Sequence, residues 1–305
     1  MAFTYHEGER RRQDRAGVRQ AAELNAGGVS DTIPWAAAAF LAEQPFVVVG
    51  HRDAGGGVWA SVLHGAPGFA QALDARTIAI DAEPTAGDAL ATSLANGGPL
   101  ALGLIAVEPA TRRRMRVNGR AHLDERGRIV IRAEEVYSNC PKYISTRTPE
   151  APVGDARQSA QRATTLDAEQ RELVAHADTF FVATAHAVTG ADVSHRGGRP
   201  GFVVTNDDGT RLTFPDYRGN SMYMTLGNLD VDPAAGLVFP DWATGDVLQV
   251  RGRAHIDDDP ARAAAFPRAE RVVDLDIEEV VALRGALGAR WRFGELSKVS
   301  PPVPA

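Results

Sequence analysis

A single cysteine in 305 residues leaves no partner for an internal disulfide, so the chain is not stapled in the manner of small secreted domains. No apolar run approaches the ~20 residues that a membrane-spanning helix needs. The opening "MAFTYHEGERRRQDR" has no apolar stretch behind its basic residues and so is not a signal peptide. Basic residues are in deficit: 33 Lys and Arg stand against 39 Asp and Glu, and this mild acidity argues against a nucleic-acid partner. Standard phosphate-loop signatures (GxxxxGK[ST], GxGxxG) and the GxSxG nucleophile elbow are missing too. The eight histidines show no paired metal spacing. What these absences leave is a soluble, cytoplasmic, globular chain with no membrane and no metal, long enough for about two domains.

What the chain does contain is a repeat. "RVNGRAHLD" closes at Asp124 and "QVRGRAHID" at Asp257, 133 residues on. The same offset carries Ser61, Gly65, Pro67, Gly68 and Phe69 onto Ser194, Gly198, Pro200, Gly201 and Phe202, and Gly103 onto Gly236. Between these anchors the register slips by one, laying "GDALATSLAN" (Gly87–Asn96) over "GNSMYMTLGN" (Gly219–Asn228). Solenoid repeats run about 20–50 residues, so this period describes a domain-sized unit present twice. Each copy begins with a helical pattern, for which Thr32 and Thr165 are the expected N-caps. Short strand-like runs separated by turn signals follow, and they predict an antiparallel barrel of about six strands in each copy rather than a parallel sheet. The expected division is a helical extension over 1–30, stopped by Gly27–Gly28, and a first barrel unit over 31–150. A linker over 151–163, within the Pro- and Gly-bearing stretch Ser145–Ala163, then leads to a second unit over 164–305.

Two turns of the second copy are rich in donors suited to an anion. In "VSHRGGRPGF", Ser194, Arg196 and Arg199 surround Gly197 and Gly198; in "FPDYRGNSMYM", Arg218, Gly219, Asn220 and Ser221 follow a strand-like run. Glycine lets a backbone approach closely, and arginine offers a fork matched to phosphate. The first copy has Leu63, His64 and Ala66 where Arg196, Gly197 and Arg199 stand, and Ala86, Asp88 and Ala89 for Arg218, Asn220 and Ser221. A phosphate facing Asp88 would be repelled: at an effective dielectric near ~20, like charges ~4 Å apart cost on the order of 4 kcal/mol. One phosphate site per chain, in the second copy, is therefore expected. "TRRRMR" (Thr111–Arg116) alternates like a strand with a solvated face, and His122 and His255 repeat within a strand as structural residues.

The ordered set "HEGE", "RRRMRVNGRAHL", "YSNCPKYI", "FFVATAH", "VSHRGGRPGF", "RGNSMYMTLGNL" and "GLVF" resembles the pyridoxamine 5'-phosphate oxidase-like flavoproteins, and within them the large, internally duplicated branch. The resemblance runs from about His6 to Asp257. It implies a mainly β fold with flanking helices: two tandem FMN-binding split β-barrels forming an intrachain pseudo-dimer, with FMN held where they meet. It also implies a flavin-dependent oxidoreductase whose substrate and redox partner the sequence does not name. The alternatives on the same barrel are a non-catalytic flavin or haem carrier or sensor, and a reductase using the deazaflavin F420. The segment "NCPKY" has no counterpart in the second copy, and the resemblance places its Cys140 and Lys142 near the flavin ring, where Lys142 would favour a reduced, anionic flavin. No iron–sulfur segment is present, so an electron partner is expected to be a separate protein; a homodimer of the whole chain is compatible with this reading.

Overall fold

The computed structural model describes residues 3–138, 141–153 and 159–303. Helices α1 (Glu7–Arg15) and α2 (Arg19–Ala26) precede a first unit made of α3 (Trp35–Glu43), β1 (Phe46–Arg52), β2 (Val58–His64), β3 (Ala70–Asp74), β4 (Thr77–Ile80), α4 (Ala89–Ala95), β5 (Leu100–Glu108), β6 (Arg113–Leu123) and β7 (Ile129–Tyr137). Two short strands, β8 (Arg147–Pro152) and β9 (Ala160–Ala163), lie in the connection. The second unit opens with α5 (Ala168–His176), β10 (Thr179–His186), β11 (Gly190–Gly197), β12 (Val204–Thr205), β13 (Arg211–Tyr217) and α6 (Met224–Val231). It closes with β14 (Ala234–Pro240), β15 (Val247–Asp257), α7 (Pro260–Ala264), β16 (Ala269–Leu283) and β17 (Ala289–Phe293).

The repeat in sequence is a repeat in topology. The first sheet runs β2-β1-β5-β6-β7-β4-β3 and the second β11-β10-β14-β15-β16-β13-β12, the same path of seven strands where about six were expected. All pairings are antiparallel, and their registers repeat as well: Val48 faces Ile105 as Phe181 faces Val238, and Gly103 faces Asn118 as Gly236 faces Arg251. The glycine of the opening motif has a geometric reason. Gly119 and Gly252 sit at matching bulges, where a Cβ would stand 2.0 Å from Arg132 O and 1.9 Å from Asp276 O.

Each barrel encloses its own apolar core, and a third cluster lies between them, drawing Phe46, Val48 and Ile105 from one unit and Phe181, Val193 and Val238 from the other. Contacts across this layer are reciprocal. A Cβ on Gly103 would lie 2.8 Å from the Asp192 Cα, and one on Gly236 would lie 2.7 Å from the Trp59 Cα; Trp59 and Asp192 are themselves a repeat pair. Residue i touching the partner of j while j touches the partner of i is the signature of a two-fold relation, here inside one chain.

Several local expectations are corrected. The helix caps are Pro34 and Asp167 rather than Thr32 and Thr165, and Asp167 forms a capping box with Gln170. The N-terminal extension is two helices, parted at Gly17 with φ +66°. It packs on the second unit: Gly8 lies against Gly227, and Arg12 pairs with Asp230 and, at 2.7 Å, with Asp258. The expected linker is not featureless, since β8 pairs with β17 and β9 with β16. Proline is tolerated in β8 because a two-stranded ribbon leaves edge positions that need no N–H. No helix among the described residues is long and apolar enough to cross a membrane.

Candidate functional site

A cavity of about 360 Å3 opens where three parts of the chain meet. That volume lies in the range of small-molecule sites. β6 of the first unit contributes Arg114 and Arg116; β11 contributes Ser194, His195 and Arg196; and the 218–223 loop with the start of α6 forms the floor. Arg271 and Glu270 enter from β16, and Ala16 and Val18 come from the turn between α1 and α2. Five arginines thus face two carboxylates, Asp216 and Glu270, in the lining.

The polar groups behind this lining fix its geometry. Arg116 is buried, pairs with Asp192 and lies 4.8 Å over the Tyr137 ring, while the Tyr137 hydroxyl donates to Asp192 at 3.1 Å. Ser194 and Thr225 hydroxyls meet at 2.9 Å. Arg271 pairs with Asp216 at 2.6 Å, and Arg196 stands 3.8 Å from the same carboxylate. The Arg196 Nε is nevertheless buried without a hydrogen-bond partner among the described residues. A buried guanidinium donor left open is costly in isolation, and its natural complement is an anion in the cavity. Burial, reinforced by Arg114, Arg196 and Arg147, holds the His195 imidazole well below its ordinary pKa, so it stands neutral at the cavity wall.

In the loop beneath, Ser221 and Tyr223 both adopt left-handed backbone, φ 64° and 61°. Alternation of such residues with right-handed ones turns successive amides to one side, the arrangement that makes backbone anion nests. Tyr223 is also the N-cap of α6 and makes no side-chain capping bond to it, and Met224, Thr225 and Leu226 of the first turn line the cavity.

The matching place in the first unit holds a carboxylate of the chain itself. Asp88 caps α4 by accepting from Leu90 N at 2.9 Å, and it accepts from Ser61 Oγ at 2.7 Å and Gln249 Nε2 at 2.9 Å. Ser61 corresponds to Ser194 within each unit, and Gln249 to Arg116, these two reaching across from the opposite barrel. Burial raises the Asp88 pKa from 3.8 to about 6 despite these donors. In the second unit the neutral Asn220 stands where Asp88 does: its Oδ1 accepts from Met222 N at 3.2 Å, Ser194 meets Thr225, and Arg116 pairs with Asp192.

Of the residues singled out in the sequence, Ser194, Arg196, Arg218, Gly219, Asn220 and Ser221 line this cavity together. Gly197 and Lys142 line a smaller adjoining space of about 50 Å3, with Tyr143 and Tyr217. Those two tyrosine rings are 5.5 Å apart, and Gly197 allows Tyr143 O to approach to 2.0 Å of where a Cβ would be. Gly198 and Arg199 line neither space. The Gly198 amide donates to Asp178 O and its face is covered by Phe202, while Arg199 is exposed beyond the strand end. Cys140 lies outside the described residues.

The solvated face expected for "TRRRMR" is corrected at Arg114 and Arg116, which the second barrel covers. His195, Thr225 and Arg271 were not singled out by sequence either. For Arg116 a signal existed, since the repeat pairs it with Gln249, a polar residue at an equally buried position. His6, Glu7 and His186 bring ligand atoms within 4.8 Å of one another, but the two rings stack at 4.1 Å and 12°. In-plane lone pairs of stacked rings do not converge on one ion, and this cluster acts as a latch for α1.

Residues 166–287 match the family profile of pyridoxamine 5'-phosphate oxidase. No curated protein matches the chain. Among solved structures, a candidate pyridoxamine 5'-phosphate oxidase from Lactobacillus delbrueckii is similar at 23% identity, covering 39% of this chain and 94% of its own, with a TM-score of 0.32. HupZ from Group A Streptococcus is similar at 16% identity, with 41% and 98% covered and a TM-score of 0.32. An FAD-binding protein from Mycobacterium smegmatis is similar at 14% identity, with 40% and 98% covered and a TM-score of 0.29.

Proposed function

We propose, with the pyridoxamine 5'-phosphate oxidase match of residues 166–287 as premise, that the chain is a flavoprotein that binds FMN in the second unit's cavity and acts as a flavin-dependent oxidoreductase. The observation that supports this reading most is the contrast between the two units. One frame of donors closes on the Asp88 carboxylate, whereas its repeat has the neutral Asn220 at that place and borders a cavity lined by five arginines against two carboxylates. A phosphate monoester would supply an anion to this arginine-rich cavity. Arg196 and Arg218 would hold it with the amides of the 219–223 loop, in charge-assisted hydrogen bonds.

A bound flavin supplies reversible one- and two-electron chemistry of its own, and the protein's part is orientation and electrostatics. The tyrosine-lined space beside the cavity would receive the ring against Tyr143 and Tyr217, with Lys142 at its edge. Neutral His195 offers both a donor and an acceptor nitrogen to whatever lies between the two spaces. Purification and reconstitution test the reading. The expected result is the two-band visible spectrum of oxidised FMN, bleached by NADH, NADPH or a ferredoxin donor and restored by air. An F420 or haem spectrum would overturn the cofactor assignment, and a bound FMN inert to every donor would leave a carrier.

A further inference from the structure

The cavity's loop is held from outside the second unit, at alternate residues. Gln13 Nε2, on α1, donates to Met222 O at 3.0 Å, and Asn25 Nδ2, on α2, donates to Asn220 O at 2.7 Å. Tyr143, in the segment that follows β7, donates its hydroxyl to Arg218 O at 3.1 Å. In a planar trans peptide unit the C=O of one residue and the N–H of the next point in opposite directions. Capturing the carbonyls of residues 218, 220 and 222 therefore turns the amides of Gly219, Ser221 and Tyr223 the other way. Among the described residues these three amides donate to no acceptor, and all three residues line the cavity. The left-handed conformations of Ser221 and Tyr223 are of the kind that surrounding contacts must enforce.

We infer that the N-terminal helices are part of the ligand site, and that Gln13 and Asn25 are positioning residues that, with Tyr143, fold the 218–223 loop into a three-amide cradle for a phosphate monoester. The inference rests on the anion-binding reading of the cavity and adds to it an allocation: the first thirty residues hold the cradle open. Gln13 is almost wholly buried, so its amide is committed to this bond, whereas Asn25 approaches from the exposed side. Losing either tether frees a peptide unit to rotate and withdraws one amide from the cradle. The arginines and the ring wall stay where they are, because no side chain of theirs is bonded to Gln13 or Asn25.

The test uses the full chain with Gln13→Met, which keeps volume but removes the donor, and Asn25→Ala. FMN and riboflavin, which differ by the phosphate alone, are titrated against each. The expected result is a loss of roughly ten- to hundredfold in FMN affinity, the worth of one charge-assisted hydrogen bond, with riboflavin affinity unchanged within twofold. Inorganic phosphate is the second probe. It should raise the wild-type melting temperature and raise that of both variants less. FMN and riboflavin weakened in parallel, or FMN unaffected, would overturn the inference. A wild-type chain that responds to phosphate but binds no flavin would overturn the FMN reading while the phosphate arm still decides the role of the tethers. A chain that responds to neither would overturn both.

Discussion

Arg196 and Arg218 reach the cavity from different elements, one near the end of β11 and one just past the end of β13, so their removal should be separable. Arg196→Ala and Arg218→Ala are each expected to weaken FMN by about 1.5–3 kcal/mol, the range for a hydrogen bond to a charged group, as measured by quenching of flavin fluorescence. Ala86, the exposed counterpart of Arg218, supplies the control: Ala86→Ser should leave affinity unchanged. Equal losses from both positions would sink the asymmetry between the units. Leu63, the counterpart of Arg196, is a poor control because it lies fully buried in the first barrel's core, where truncation would cost about 2–5 kcal/mol of stability. At this scale the sequence showed donor-rich turns but not which donors point inward. Arg199 follows the end of β11 and swings out, while Arg114 and Arg116 share one face of β6 by alternation. Only the presence of a second barrel turns that face from solvated to buried, and a single strand's pattern does not contain that information.

Among the elements, α4 and α6 carry the divergence. Asp88 caps α4 while buried, so its carboxyl titrates higher folded than unfolded, at about 6 against 3.8. A carboxyl raised in this way contributes stability that is complete below about pH 4 and lost as pH rises through 6. Asp88→Asn keeps a good cap without the charge. The variant should show a flatter stability profile than the wild type between pH 4 and 6 in urea unfolding; identical profiles would refute the buried-charge account. A second element-scale prediction concerns α1. A Cβ on Gly227 would stand 2.6 Å from Glu9 N, backbone that cannot yield cheaply. Gly227→Ala should therefore lift α1 from α6 and speed tryptic cleavage between Arg10 and Arg15; an unchanged cleavage rate would mean that the helix tolerates the shift. Both α4 and α6 were hidden in the sequence. They are seven and eight residues long, too short to declare themselves by periodicity, and tertiary packing rather than propensity sustains them. The caps at Pro34 and Asp167 were displaced from the expected threonines for a related reason: a threonine two residues upstream satisfies the same pattern, and only the geometry of chain entry decides.

For the molecule as a whole, the 133-residue offset was the most legible feature, and it carried strand order, register and bulge position into both barrels. What it could not carry was the attachment of the connection and the N-terminal helices to the second unit, because those segments have no repeat to be read against. The layer between the barrels breaks the symmetry that the barrels share. Across it Gln249 seals the first unit's frame onto Asp88, and Arg116 pairs with Asp192 at the edge of the second unit's cavity. The proposed site therefore draws on both copies of the fold, with its charge, its left-handed loop and its outer tethers all on one side of the pseudo-two-fold. The direct measurement is the stoichiometry of FMN by calorimetric titration of the purified full chain. One FMN per chain, reduced below detection by joint replacement of Arg196 and Arg218, is the predicted result; two per chain, or one that survives that replacement, would contradict it.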